Sequence, residues 1–338
     1  MAAVSINTLE GAVLDVDYLI KGGEGLIRLT VKGSDGKAYQ IFDEKFKPYF
    51  YFLPARPMTE TEIMAMSALD QGGIIKPVRV IPRKKQLFGK VVDGFMVYTK
   101  IPGEVPKLGA ALARQGRCYE YDIPFAKRYS IDTGIIPLSP YTIDYYERDG
   151  NHYLESMAAN EKGKMPNLSV LAFDIECYNP LLRPREDKDP VIMISYWFSS
   201  HEKEKRGVIT WKKINRDFVE SVADEKAVLK RFVDIVNEND IDIISGYNSA
   251  NFDVKYLLAR ARWLGVDFNL SRYEGDTKIE RHGMMDRVKI AGRVHVDMYL
   301  VTRFIAVVGA SEYILKLNSY TLDNVYAALS GGKKMAEL

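Results

Sequence analysis

The sequence predicts two domains in series: a β-rich α+β domain over residues 1–140, then an α/β domain over residues 141–338 with a mixed sheet flanked by helices. The first part alternates short strand-like runs with turn residues and has only two helical segments. The second part has three consecutive strand-like runs and then alternates helix with strand. A length of 338 residues is in keeping with two domains of ordinary size.

The composition is that of a globular chain. Hydrophobic residues make up 47% and charged residues 27%, so an apolar core can form. The net charge of +2 gives no global basic field, so nucleic-acid binding would need local patches. The two cysteines form no Cys-x-x-Cys pair, which predicts reduced thiols in a cytoplasmic protein. We expect no signal peptide, and no stretch reaches the roughly 20 apolar residues of a membrane span.

The elements of the first domain follow from hydrophobic runs and turn residues. We predict strands over residues 11–20, 26–31, 38–42, 47–54, 74–81 and 94–101. The turn from Gly33 to Gly36 joins the second and third of these as a hairpin. Residues 58–73 predict a helix because Thr59 and Glu62 have the spacing of a capping box. A second helix is predicted over residues 102–116.

Residues 137–166 mix proline, glycine and charge without a steady period, which places the domain boundary among them. Beyond it we predict strands over residues 168–176, 190–199, 206–212, 241–247 and 292–301. Helices are predicted over residues 224–240 and 251–265. Their predicted buried stripes are Val228, Phe232, Ile235 and Val236 in the first, and Phe252, Tyr256, Ala259 and Trp263 in the second.

Asp174 and Glu176 form an acidic pair where the first strand of the second domain ends. Residues i and i+2 of a strand share a face, so the two carboxylates stand side by side. Mg²⁺ binds through one or two carboxylates together with substrate phosphate. Two such ions roughly 4 Å apart can activate water and stabilise the leaving oxygen of a phosphodiester. By itself, however, the pair favours the simpler reading of a solvated strand end.

A second polar feature lies at the strand–turn–helix segment that follows residue 241. Asn248 is in the turn, and Asp253 is in the first turn of the next helix, where the helix dipole stabilises a carboxylate. A simpler reading explains each residue alone. Asp253 would cap the helix, and Asn248 would serve the turn.

Together, the two polar features resemble the first and second exonuclease motifs of B-family DNA polymerases. The whole chain is similar, in order, to the N-terminal portion of the archaeal replicative members of that family. The matching stretches are LDVDYLI, FKPYFYF, EYDIPFAKRYSIDTGIIP, LAFDIE, MISYW, YNSANFD, GRVHVDMY and YTLDNVY. The resemblance implies an N-terminal domain followed by a proofreading 3′–5′ exonuclease domain with an RNase H-like fold.

The implied chemistry is two-metal hydrolysis of the terminal phosphodiester of single-stranded DNA, with release of nucleoside monophosphates. In the family pattern Asp174 bridges two Mg²⁺ or Mn²⁺ ions, Glu176 binds one ion and helps to place the water, and Asp253 holds the second ion. Asn248 and Phe252 match residues beside the 3′ end of the strand. The implied partners are single-stranded and primer–template DNA, the remaining polymerase domains in cis or in trans, and a sliding clamp bound through a C-terminal peptide. The implied location is the nucleoid, in the cytoplasm.

The sequence departs from the family at its third exonuclease motif, Tyr-x₃-Asp. The chain ends at Leu338, before that motif and before the polymerase palm. Asp297 is acidic, but we expect it to bond to neighbouring backbone. We therefore expect weak or no exonuclease activity from this chain alone, and no polymerisation. The alternatives are a split-polymerase subunit, a non-catalytic module that binds single strands or uracil, and an unrelated RNase H-like nuclease, against which the long first domain argues.

In archaeal relatives the N-terminal domain carries a pocket that captures uracil in the template strand. The matching positions are Tyr18, Pro48, Tyr49, Val105, Phe125 and Arg128. A tight pocket of this kind can accept a flipped uracil and exclude the methyl group of thymine, while Arg128 would hold a phosphate or brace the pocket. Taken singly, Tyr18, Tyr49 and Phe125 are more typical of core aromatic residues than of a base-binding surface, and the family match alone favours the pocket.

The basic segment over residues 82–90 is a weaker candidate for nucleic-acid binding. Its four cations surround Phe88, so it would contact phosphates while a base stacks on the ring. A solvated hairpin tip accounts for the same pattern.

Overall fold

The structure, a computed structural model, describes residues 5–179, 183–200, 203–282, 285–308, 317 and 319–332. The chain divides into two compact units, Met1–Pro166 and Asn167–Leu338. Within the described residues, no helix has both the length and the apolar character needed to cross a membrane.

The first unit combines a barrel with a separate sheet. Its strands are β1 (Ile6–Lys21), β2 (Glu24–Gly33), β3 (Ala38–Asp43), β4 (Tyr49–Pro54), β5 (Ala68–Asp70), β6 (Gly73–Ile75), β7 (Arg79–Leu87), β8 (Lys90–Tyr98), β9 (Gly116–Tyr119), β10 (Pro140–Arg148) and β11 (Asn151–Ala159). Its helices are α1 (Glu60–Met64), α2 (Glu104–Leu112) and α3 (Phe125–Thr133).

The barrel closes in the order β1-β10-β11-β3-β2. Strand β1 pairs with both β10 and β2, and a register shift between Val13 and Asp15 lets it bend between these partners. Ile27, Leu29 and Ile143 are completely buried in the barrel core. The predicted hairpin of β2 and β3 is confirmed.

The second sheet of this unit is antiparallel, in the order β7-β8-β4-β9. Phe50, Phe52 and Val97 form part of a buried cluster with Ile63 of α1 and Leu108 of α2. The other face of these strands is less covered: Tyr51, Leu53 and Tyr98 are half-buried, although Tyr49 and Met96 on that face are buried too.

Two sequence predictions for this unit differ from the structure. Residues 140–159, which we assigned to an irregular boundary and mostly to the second domain, form β10 and β11 of the barrel, so the units divide between Pro166 and Asn167. The helix predicted over residues 58–73 ends at Met64, although its capping box of Thr59 and Glu62 is present. The rest of that segment pairs as a short hairpin of β5 and β6, because pairing outweighs helix propensity there.

The second unit contains one large sheet and a small hairpin. Its strands are β12 (Val170–Cys177), β13 (Val191–Ser200), β14 (Lys203–Thr210), β15 (Val219–Ser221), β16 (Ile243–Gly246), β17 (Lys278–His282), β18 (Met285–Lys289) and β19 (Val294–Asp297). Its helices are α4 (Glu225–Glu238), α5 (Asp253–Leu264), α6 (Met298–Val308) and α7 (Leu322–Ser330).

The large sheet has the order β15-β14-β13-β12-β16-β19. Strands β12, β13 and β14 are antiparallel, whereas β12, β16 and β19 are parallel, so the sheet is mixed as predicted. Phe173 of β12 packs against Phe232 of α4. The whole predicted stripe of α4 is buried.

One other prediction for this unit was wrong, and one was only partly right. The strand expected over residues 292–301 ends at Asp297, where α6 begins. On α5 the buried face is formed by Val254, Tyr256, Leu257 and Ala261, so Tyr256 of the predicted stripe is confirmed, whereas Phe252 is 39% and Trp263 65% exposed. Phe252 and Trp263 misled the prediction because size and apolar character do not decide which side of a helix meets the sheet.

Candidate functional site

The acidic pair on β12 lies opposite the core. Leu171, Phe173 and Ile175 are buried, so Asp174 and Glu176 project from the other face of the strand and are exposed. A register shift follows Glu176 in the pairing with β13. Both carboxylates therefore stand where regular pairing of the central strand ends.

The turn after β16 reaches the same edge because β16 runs parallel to β12. A Cβ atom on Gly246 would lie 2.6 Å from the Cβ of Ser249, so only glycine allows the chain to fold back this tightly. Asn248 has a φ of 61°, a left-handed conformation that asparagine tolerates better than most residues. Its backbone carbonyl accepts hydrogen bonds from the amides of Asn251 and Phe252 and leads the chain into α5.

Asp253 joins this turn to the acidic pair. It is the first residue of α5, is only 3% exposed, and accepts a hydrogen bond from the backbone N–H of Ile175 at 3.3 Å. Burial first, and the negative charge of Asp174 second, raise the pKa of Asp253 to about 7. Residues far apart in sequence thus meet at one point, with two carboxyl groups close enough to repel each other.

This donor set fits a hard divalent cation. The groups are carboxylate oxygens, and a cation between Asp174 and Asp253 would relieve the repulsion that raises the pKa of Asp253. Glu176 is the next residue on the same face of the strand. In the part of the chain that the structure describes, no three His, Cys, Asp or Glu side chains are grouped closely enough to hold an ion.

Asn248 and Phe252 lie on the same turn as Asp253. The side-chain oxygen of Asn248 accepts a hydrogen bond from the side-chain amide nitrogen of Asn251 at 2.9 Å. Phe252 stands at the N-cap of α5, is 39% exposed, and has its ring 5.6 Å from that of Tyr256. An exposed ring next to the buried carboxylate offers a stacking surface for a base.

Asp297 holds the turn in place. Its carboxylate accepts hydrogen bonds from the backbone N–H groups of Asn248 at 2.8 Å, Ala250 at 3.1 Å and Tyr299 at 3.0 Å, which confirms the expected bonding to backbone. Burial lowers the pKa of the neighbouring His295 to about 4, so the imidazole that bonds to Ser249 at 3.0 Å is neutral. The role of His295 carried no signal in the sequence.

The six positions predicted for the first unit all line one cavity of about 290 Å³. They are Tyr18, Pro48, Tyr49, Val105, Phe125 and Arg128. The rings of Tyr18 and Phe125 meet edge to face at 5.5 Å. The lining also includes Pro102 and Tyr121, which no sequence pattern singled out.

Arg128 forms a braced wall of this cavity. It is 4% exposed, pairs with Glu120, and donates to Asp132 at 3.4 Å. Asp132 also accepts a hydrogen bond from the hydroxyl of Tyr49 at 2.5 Å, and the guanidinium lies 5.2 Å from the Tyr49 ring. The Nε atom of Arg128 is buried without a hydrogen-bond partner. The partners Glu120 and Asp132 were also missed, because nothing local marks them.

A mixed sheet whose central strand ends in carboxylates, met by a further carboxylate at the start of a following helix, defines a nuclease-type α/β domain. Residues 116–325 match the family model of the DNA polymerase family B exonuclease domain. The chain belongs to DNA polymerase family B, and its second unit has the RNase H-like architecture that the resemblance implied.

Individual relatives agree with this assignment. The chain is 35% identical over 327 residues to a DNA polymerase of Pyrococcus glycovorans, which covers 95% of this chain and 37% of the relative. It is 34% identical to a DNA polymerase of Thermococcus sp. (strain 9oN-7), with the same coverage. The family B DNA polymerase of the hyperthermophilic archaeon Pyrobaculum calidifontis superposes with a TM-score of 0.79 at 27% identity, over 96% of this chain and 40% of that one. The chain thus spans well under half the length of these relatives.

Proposed function

We propose that this chain is the N-terminal and exonuclease part of a family B DNA polymerase, and that its second unit removes nucleotides from the 3′ end of single-stranded DNA for proofreading. The observation that carries the proposal is the meeting of buried Asp253 with Asp174 at the edge where β12 and β16 end. Such a DNA substrate would place the protein at the nucleoid, in the cytoplasm. The remaining polymerase domains and a sliding clamp are further proposed partners.

Two Mg²⁺ or Mn²⁺ ions are the proposed cofactors, held by Asp174, Glu176 and Asp253. Bound ions of this kind lower the pKa of water and stabilise the leaving oxygen of a phosphodiester. The protein's own contribution is to hold Asp253 through the backbone amide of Ile175 and to bury its carboxylate away from solvent. Phe252, exposed at the start of α5, would stack on the terminal base.

Mn²⁺ binding tests the nuclease proposal without relying on turnover. Isothermal titration of the chain at pH 8 should detect Mn²⁺ binding that Asp174→Ala and Asp253→Asn each weaken by at least tenfold. Asp234→Asn, an exposed position on α4, removes the same charge and should leave binding unchanged. Unchanged Mn²⁺ affinity in both site variants would refute the proposal. Single-strand binding without any Mn²⁺ binding would instead make the chain a non-catalytic binding module.

We also propose that the cavity of the first unit captures uracil in a DNA template strand. Support comes from the convergence of all six predicted positions on one cavity and from the unpaired Nε of Arg128, a buried donor available to a ligand. The aromatic walls would exclude the methyl group of thymine by steric contact.

Fluorescence titration with matched single strands that contain uracil or thymine tests the cavity. The uracil strand should bind more tightly, and Val105→Leu, which adds a methylene to the wall, should reduce that preference. Val307→Leu at an exposed position of α6 is the matched control. Equal affinity of the parent chain for the two strands would refute uracil recognition.

A further inference from the structure

We propose that the open face of the sheet β7-β8-β4-β9 is a binding platform for single-stranded DNA that adjoins the proposed uracil cavity. The inference rests on the proposed function, because it is the proposed function that identifies the bound strand as DNA. The opposite face is closed by α1 and α2, whereas the open face carries aromatic and basic side chains. We call this open face the platform.

The strand register places four tyrosines on the platform. Directly paired residues of adjacent strands share a face. Tyr51 of β4 pairs with Met96 of β8 and with Tyr119 of β9. Tyr49 pairs with Tyr98, and its ring lies 5.5 Å from the rings of both Tyr51 and Tyr98. These rings form a row across the sheet, in which Tyr49 is buried at 6% exposure, whereas Tyr51, Tyr98 and Tyr119 are half-buried and accessible to a base.

Basic side chains flank the row of tyrosines. The register places Arg79, Arg83 and Lys85 of β7 on the same face, and Arg117 follows from its pairing with Leu53. The ammonium of Lys85 lies 4.0 Å from the Tyr51 ring centre and 3.7 Å from Glu120. These four cations outnumber the neighbouring acids Glu120 and Asp132, which gives this face the local positive charge that the whole chain, at +2, lacks.

The platform also contains a depression of about 160 Å³, lined by Tyr51, Tyr119, Arg83 and Lys85 among others. Gly94 lines it as well, at a point where a Cβ atom would lie 3.1 Å from the backbone oxygen of Phe52. Rings that stack bases beside cations that contact phosphates are the common means of binding single strands without sequence preference.

The platform adjoins the proposed uracil cavity. Arg128 lines that cavity and Glu120 lines the depression, so their ion pair forms a shared wall. Tyr49 belongs both to the cavity lining and to the row of tyrosines. A strand with one base in the cavity would have its neighbouring nucleotides beside the platform.

Fluorescence anisotropy with a 5′-labelled oligothymidylate tests the platform in the full chain, with EDTA present to prevent cleavage. Thymine does not fill the proposed cavity, so the platform should dominate the signal. Tyr51→Ala should raise the Kd by about 5- to 150-fold, the loss typical of one base–aromatic stack. Tyr51→Phe, which keeps the ring, should retain the parental affinity.

A pair of double variants separates phosphate contacts from general charge. Arg83→Ala/Lys85→Ala should reduce the slope of log affinity against log salt concentration by about 1.4, because each lost phosphate contact contributes roughly 0.7. Lys226→Ala/Lys230→Ala on α4 removes the same charge from exposed positions and should leave the slope unchanged.

The outcomes keep the two proposals distinct. Parental affinity in Tyr51→Ala, or equal slopes in the two double variants, would overturn the platform while leaving uracil discrimination intact. Failure of the parent chain to bind any single strand would overturn the proposed function and the platform with it. Tighter binding of oligocytidylate in RNA form than of the matching oligodeoxycytidylate, neither of which contains uracil, would assign the face to RNA and overturn the DNA proposal.

Discussion

Replacing Asp253 by asparagine should make the second unit more stable at high pH. The amide keeps an oxygen that can accept the hydrogen bond from Ile175 but cannot ionise. In the parent chain, burial and Asp174 raise the folded-state pKa of Asp253 above its unfolded value of 3.8. A raised pKa stabilises the fold fully below the unfolded value, and that contribution is lost as pH rises through the folded value. The variant has no such loss.

The magnitude follows from the displacement of the pKa from 3.8 to about 7, or about 3 units. Each unit corresponds to about 1.4 kcal/mol, so full ionisation costs the parent about 4 kcal/mol, of which roughly 3 kcal/mol falls between pH 5 and pH 8. Relative to the parent, Asp253→Asn should therefore gain about 3 kcal/mol over that interval.

Urea unfolding followed by tryptophan fluorescence is a suitable assay, because Trp197, Trp211 and Trp263 all belong to the second unit. Parent and variant are compared at pH 5 and pH 8 with EDTA present, and Asp234→Asn controls for loss of one charge. A stability difference between parent and Asp253→Asn that is the same at both pH values would refute the reasoning, since it would mean that Asp253 does not titrate in this interval.

Three other changes test separate parts of the molecule. Glu225→Gln leaves the buried guanidinium of Arg260, which it contacts at 2.5 Å, without its charge partner. It should lower the free energy of unfolding by about 3–5 kcal/mol in the same urea assay; a loss below about 1 kcal/mol would contradict this. Asp297→Asn should weaken Mn²⁺ binding by about 10- to 100-fold through misplacement of the turn, and calorimetry showing parental affinity would disprove that role. Thr59→Ala should cost about 1 kcal/mol locally, seen as faster amide exchange in α1 without a change in tryptophan unfolding; parental exchange would count against the cap.

Hydrophobic period was a reliable guide where an element buries a regular stripe. The α4 stripe and the alternation along β12 show this, because both elements pack on a single core. Hydrophobic period failed where pairing with distant strands decides whether a segment is a strand, a helix or a loop. The alternation of Tyr141, Ile143 and Tyr145 with polar residues is short and lies among proline, glycine and charged residues, so it did not stand out, yet residues 140–159 pair with each other and with β1 and β3. Helix α6 begins directly after Asp297 without a break in apolar character that a sequence pattern could reveal.

The candidate site likewise has residues that the sequence predicted and contacts that only the fold creates. The matches to family motifs singled out Asp174, Glu176 and Asp253, but no local pattern shows that Asp253 bonds to Ile175 across 78 positions. That contact depends on β16 lying parallel beside β12 and on the tight turn at Gly246.

The sequence by itself determined most of the elements, the order of the two units and, through its ordered motifs, the family. Only the tertiary structure decided which distant side chains meet: Asp253 with Asp174, Arg128 with Glu120 and Tyr49, and the tyrosines of the platform. The physical reason is that strand order and register set these distances. Local propensity and period act only over a few residues, whereas a pKa or a cavity depends on every group that the fold brings near.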